Sequence, residues 1–232
     1  MKDSKAVNII SLGGGTATLS IPYTPGRNEA IGFLFGVYAE ENGKAARIAG
    51  SAYDGDAGAV LIPTGHFSAY GIGYTAPIAK FTDIDNHWGS ESIDFAVGRG
   101  LLSGTSDTTF SPNAVMTRGM LVTALGRLAS VDVKGYTTSS FTDVKASTAF
   151  QPYIEWAYKN GIVQGTGDNR FAPDRAVTRE EIAVIFANYA NSSGYTLPVL
   201  RKATDFADDS SIGSVYKSAV VSMQQAGIMM GD

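Results

Sequence analysis

The chain repeats itself, and that repetition limits its folds more than any other feature. Phe81-Thr82-Asp83-Ile84 returns as Phe141-Thr142-Asp143-Val144 and, more loosely, as Phe206-Ala207-Asp208-Asp209. Gly100-Leu101-Leu102-Ser103-Gly104 returns as Gly161-Ile162-Val163-Gln164-Gly165 and as Gly227-Ile228-Met229-Met230-Gly231. From each Phe to its first Gly the distance is 19, 20 and 21 residues, and copies lie about 60 to 66 residues apart. Phe110-Ser111-Pro112 is matched by Phe171-Ala172-Pro173, and Thr117-Arg118 by Thr178-Arg179, with each Thr 13 residues after Gly104 or Gly165. A period of this length signals a stacked array in which no unit buries its apolar face alone. The chain holds two whole units and the first half of a third.

Each unit reads as helix, loop, helix. Ile93, Ala96 and Val97 share one face of a first helix, as do Ile154, Ala157 and Tyr158, and a third such helix spans about Ser214 to Ala226. Pro152 suits a first turn, where no N–H is needed. Gly100, Gly161 and Gly227 fit the left-handed position that ends a helix. Thr117 and Thr178 open the second helices as N-caps, and Thr178-Arg179-Glu180-Glu181 fits a capping box. Met120 replaces that acid in the first unit, leaving the Thr alone. The expected apolar stripes are Leu121, Ala124, Leu125 and Leu128, then Ile182, Ile185, Phe186 and Tyr189.

Residues before about 76 have another texture. Thr16–Ile21, Ile31–Ala39, Ala45–Ala49, Ala59–Ile62 and Phe67–Tyr74 read as strands, separated by Pro25-Gly26, Asn42-Gly43 and Asp54-Gly55-Asp56 turns. Asn42-Gly43 between apolar runs is the strongest hairpin signal. Thr75 to Lys80 reads as a linker. Glycine at 27 of 232 residues agrees with a turn-rich segment. The reading is α+β and multidomain: a small all-β, sandwich-like region followed by an all-α array.

Composition removes several functions. With 18 basic and 22 acidic residues the net charge is −4, which disfavours a nucleic-acid partner. There are no cysteines and two distant histidines, His66 and His87, so thiol chemistry and Cys- or multi-His metal sites are excluded and no cofactor is expected. No apolar run approaches a membrane span, and the opening MKDSKAVNII lacks the apolar core of a signal peptide. No nucleophile elbow, calcium loop or carboxylate pair stands out, so no enzyme activity is expected of this chain.

Arg118 and Arg179 carry the most chemistry. Each follows an N-cap, where a cation opposes the helix dipole at a cost of about 0.3–1 kcal/mol. An anion arriving from outside would be met by first-turn N–H groups and the guanidinium together. Pairing with a nearby carboxylate, Asp107 or Asp174, explains the same residues, and spacing alone leaves both readings open. The loops at Gly104 and Gly165 expose backbone donors or make ordinary turns. Asp83 and Asp143 are ligand contacts or caps; Trp88 and Trp156 are sugar platforms or core.

The repeat resembles the S-layer homology domain, over about residues 81 to 232. The residues that carry this are Phe81-Thr82-Asp83-Ile84, His87-Trp88, Gly100 to Gly104, Phe110-Ser111-Pro112 and Thr117-Arg118, with their counterparts through Thr178-Arg179-Glu180-Glu181. The resemblance implies a pseudo-threefold helical assembly whose grooves bind secondary cell-wall polysaccharide, often pyruvylated and attached to peptidoglycan. It implies an extracellular, cell-wall location. Its Thr-Arg-Ala-Glu motif supplies an Arg to the ligand's acidic group and maps onto Thr117-Arg118-Gly119-Met120 and Thr178-Arg179-Glu180-Glu181. The ligand contacts expected are Arg118, Arg179, Thr117, Thr178, Gly104, Gly165, Asp83, Asp143 and Trp88. The expected organisation is a β-domain at 1–76, repeats at 81–140 and 141–203, and a partial repeat at 204–232. The β-region is similar to small domains that precede such repeats in large exported proteins. That leaves two further readings: the anchor of a polysaccharide hydrolase, and a self-associating lattice component.

Overall fold

The alternation of β1 (Ala17–Pro22) sets the first layer: Ala17, Leu19 and Ile21 are half-buried while Thr18, Ser20 and Pro22 are exposed. The computed structural model describes residues 17–40, 42–48, 50–75 and 81–231. Residues 1–16 and 76–80, which include the opening segment and most of the expected linker, lie outside it. The described residues form two compact units, one reaching residue 113 with 127–130 added, the other 114–126 with residues from 131 onward.

In the first unit, β1 pairs antiparallel with β5 (Ala59–Thr64), and β5 with β4 (Ala52–Asp54). A second sheet has the order β3 (Ala45–Ile48), β2 (Leu34–Ala39), β6 (Tyr70–Tyr74). Leu34 from one sheet and Val60 and Ile62 from the other are fully buried in one cluster, flanked by Leu19, Ile21, Ile48 and Ile72. The β2–β3 hairpin turns at Asn42-Gly43: Gly43 has φ 78°, and the Asn42 side chain accepts from the Lys44 N–H at 2.8 Å. Two expected strands start later than expected, and one strand was not expected: β6 begins at Tyr70, not Phe67. Ile31–Phe33 is a 3-10 turn, closed by the Phe33 N–H on the Ala30 carbonyl at 2.9 Å, and the strand begins at Leu34. Strand β4, at three residues, is too short to show alternation in the sequence.

Helix α1 (Ser90–Gly98) belongs to the same unit as the sheets. Arg99, at its end, is buried and donates to the carbonyls of Ser51 and Leu34. Burial, and then the neighbouring Arg47 charge, push the Arg99 guanidinium down to about 10.

The second unit holds most of α2 (Arg118–Leu128), then α3 (Gln151–Lys159), α4 (Arg179–Ser192) and α5 (Lys217–Gln225). Pro152 sits in the first turn of α3. Gly100, Gly161 and Gly227 take φ 69°, 69° and 75°, the left-handed terminator each repeat needs. Thr178 and Glu181 form a complete capping box, whereas the Thr117 hydroxyl alone accepts from the Met120 N–H, at 3.3 Å. The α4 stripe extends beyond the expected large residues. Ala183 is fully buried with Val220 and Met223 of α5, because small side chains let two helices approach closely.

Candidate functional site

The Phe-Thr-Asp motif folds each of the two whole repeats onto its own Phe-x-Pro loop. Asp83 accepts from the Phe110 and Ser111 N–H groups at 2.9 and 2.7 Å, and Asp143 from those of Phe171 and Ala172, both at 2.8 Å. Ser111 and Ala172 have φ 62° and 57°, a conformation that turns successive N–H groups toward one anion. Here that anion is the repeat's own carboxylate. The Phe110 N–H is the main cause holding Asp83 below the ordinary carboxylate range. Burial pushes Asp143 up, but the Phe171 and Ala172 N–H groups with Arg170 hold it low overall.

Gly104 and Gly165 complete these clasps. A Cβ on Gly104 would lie 2.3 Å from the Phe81 ring and 2.6 Å from the Thr109 carbonyl oxygen. On Gly165 it would lie 2.7 Å from the Arg170 carbonyl oxygen and 2.8 Å from the Phe141 ring. The bare backbone therefore faces protein. The loop after Gly165 lines a shallow groove of about 500 Å³ with Tyr158, Asp168 and Arg170.

The two Thr-Arg motifs have unlike surroundings. Arg118 is only 5% exposed. Its Nε donates to the Phe171 carbonyl at 3.0 Å, its Nη2 to the Gln164 carbonyl at 2.9 Å, and its Nη1 lies 3.3 Å from Glu181 Oε1. The guanidinium stands 4.6 Å over the Phe171 ring. Burial lowers the Arg118 pKa, with Glu181 opposing. The carboxylate of Glu181 also takes Arg175 at 2.5 Å, which with the Thr178 N–H keeps it below its usual range against the pull of burial.

Arg179 is exposed, and with Thr178 and Glu180 it lines a groove of about 670 Å³. The opposite wall comes from the third copy of the repeat: Asp205, Phe206, Asp208, Gln224 and Met229. Gln224 is buried and ties Thr204 in place by accepting from its N–H and donating to its carbonyl, at 2.9 and 2.8 Å. Glu180 accepts from the Gly213 N–H at 2.9 Å. The groove thus offers one guanidinium among several hydrogen-bond acceptors, with an aromatic ring and a thioether in its lining.

The expected site residues do not converge on one place. Thr178 and Arg179 reach the groove, and Thr117 and Arg118 lie at the seam between the first two repeats. Asp83 with Gly104, and Asp143 with Gly165, sit in the two clasps. Trp88 stands apart, 93% exposed, its ring 5.5 Å from that of His87, while Trp156 is buried against Tyr189. In the sequence Glu181 reads only as part of a cap, and Asp205, Asp208 and Gln224 do not read as site residues. The alignment of Asp208 with Asp83 and Asp143 was the one available signal for any of them.

Comparison with known proteins gives these features a context. The S-layer homology domain matches at residues 80–119 and 140–183. An amylopullulanase of Thermoanaerobacterium thermosulfurigenes is 31% identical over 79% of this chain, and 10% of its own length is covered. The exoglucanase XynX of Acetivibrio thermocellus is 30% identical over 84% of this chain and 18% of its own length. An S-layer protein of Bacillus thuringiensis subsp. finitimus is 28% identical over 48% of this chain and 14% of its own. The chain therefore spans between a tenth and a fifth of these relatives. The two matched repeats are of the kind that anchors surface proteins to the cell wall. The chain thus carries S-layer homology repeats in these two segments.

Proposed function

We propose that this chain anchors a longer extracellular protein to the bacterial cell wall by binding an acidic, pyruvylated secondary wall polysaccharide at the Arg179 groove. The observation that carries the reading is the groove itself, where an exposed Arg opens onto a polar cleft built from two successive repeats. Arg179 meets the acidic group of the glycan, where a charge-assisted bond is strongest. Thr178 fixes the helix end behind it. Asp205 and Asp208 accept from sugar hydroxyls, and Phe206 covers an apolar sugar face. Trp88, with almost all of its ring in solvent, is a second stacking platform on the array. On this reading the chain runs from a β-region at 1–76 into repeats at 81–140, 141–203 and 204–232, an array of the pseudo-threefold type. The names of the amylopullulanase and exoglucanase relatives support a polysaccharide-degrading parent.

The test is a pelleting assay with purified Gram-positive walls, intact or stripped of secondary polysaccharide. Wild-type chain is expected to pellet with intact walls only, and Arg179→Ala to stay in solution. Equal pelleting with both walls would refute the polysaccharide as ligand. Assembly into sheets without walls, seen by electron microscopy, would favour the lattice reading instead.

A further inference from the structure

We infer that the two Thr-Arg motifs form a directional bolt between the first two repeats: Arg118 of the first reaches forward into the second repeat, and Glu181 of the second receives it. On this reading Arg118 belongs to the seam between the repeats and is not a glycan contact.

Each of the three guanidinium nitrogens of Arg118 donates to protein. The guanidinium holds the Phe171 and Gln164 carbonyls and Glu181, all in the second repeat. The first-turn N–H groups are engaged as well: that of Arg118 donates to the Arg175 carbonyl at 3.0 Å, and that of Gly119 to the Pro173 carbonyl at 2.9 Å. Thr117 and Ala176 form an isolated β-bridge beside them. A helix N-terminus with its donors so occupied has no anion site to offer.

Glu181 supplies the receiving half. One oxygen accepts from the Thr178 N–H at 3.0 Å, closing the cap of its own helix. The other takes Arg118 from the previous repeat and Arg175 from its own. This explains the departure at Met120, which occupies the equivalent position in the first repeat. No Thr-Arg pair precedes Thr117 in the sequence, so the first repeat has no incoming Arg to neutralise. An acid there would serve only as a cap.

The test is a double-mutant cycle on the full chain with Arg118→Met and Glu181→Gln, followed by urea denaturation. Trp156, buried on α3, is the reporter, in a Trp88→Phe background that removes the exposed indole. Each single substitution is expected to raise the unfolding constant, and the pair to fall short of the product of the singles by about tenfold. Met120→Glu should change that constant less than about threefold. Multiplicative effects of the two substitutions would overturn the bolt. Should Arg118→Met not fold, Arg118→Lys keeps the charge without the fork and takes its place in the cycle.

The second arm rests on the Arg179 groove being the glycan site and uses the pelleting assay. Folded Arg118→Met or Arg118→Lys should bind intact walls like wild type, while Arg179→Ala should not. Loss of binding in a folded Arg118 variant would overturn the assignment of Arg118 to the seam. Failure of wild type to bind would remove the proposed function, and the cycle would still decide the bolt.

Discussion

Replacing Asp143 by Asn tests whether the Phe-Thr-Asp motif is a fold device. The carboxylate accepts two N–H bonds at 2.8 Å from Phe171 and Ala172, and its side chain is 14% exposed. Hydrogen bonds to a charged group contribute about 1.5–3 kcal/mol each. Asn keeps one acceptor oxygen, so one N–H loses its partner and faces an NH₂ donor instead. The ion pair with Arg170, at 3.6 Å and with that side chain 64% exposed, adds little. Loss of one bond and weakening of the other comes to roughly 2–4 kcal/mol. The assay is urea denaturation read by Trp156, repeated from pH 7 to pH 2. Because the folded Asp143 pKa is depressed, its stabilisation is complete above the unfolded value of about 3.9 and is lost as pH falls through the folded value. The gap between wild type and Asp143→Asn should therefore close below about pH 4. A gap under about 0.5 kcal/mol at pH 7, or one that persists unchanged to pH 2, would refute the clasp.

Three further outcomes follow from the same geometry. Gly126→Ala places a Cβ 2.3 Å from the Tyr153 ring and should destabilise the second unit by about 1–3 kcal/mol in thermal melts, with Tyr153→Leu restoring part of the loss. Trp88→Ala should leave the urea midpoint unchanged, since the ring is 93% exposed, while lowering wall affinity about two- to tenfold if it stacks on sugar. Wall binding through one guanidinium at an exposed groove should weaken between 50 and 500 mM salt, measured by pelleting, as screening shortens to about 4 Å.

The sequence made the array legible because its signals are local and repeated. A left-handed glycine, an N-cap threonine and a 3.6-residue apolar stripe each act within a few residues of themselves. Three copies at nearly fixed spacing turn weak signals into strong ones. The β-region was legible for a different reason, since alternation in β1 and a glycine turn at Gly43 mark strands without repetition. What stayed hidden depends on partners far away in the chain. Ser51 and Leu34 are 48 and 65 residues from Arg99, and nothing near Arg99 announces them.

The two motif arginines show that limit most sharply. Arg118 and Arg179 have the same neighbours in sequence, a Thr before and a helix after, and local reasoning must give them one role. Their difference comes from the following repeat. Arg118 has Phe171, Gln164 and Glu181 to hold, at separations of 53, 46 and 63 residues. Arg179 faces a groove whose far wall carries Asp205, Phe206 and Asp208. In a repeat array the motif fixes where a side chain starts, and the next unit decides whether it meets protein or solvent. The same reasoning applies to Asp83 and Asp143: an acid near a helix start suits a ligand or a cap, and only the return of the Phe-x-Pro loop, 27 to 29 residues on, assigns both to the fold. A binding residue in such an array is therefore best sought where the motif opens onto a groove, which directs attention here to Arg179.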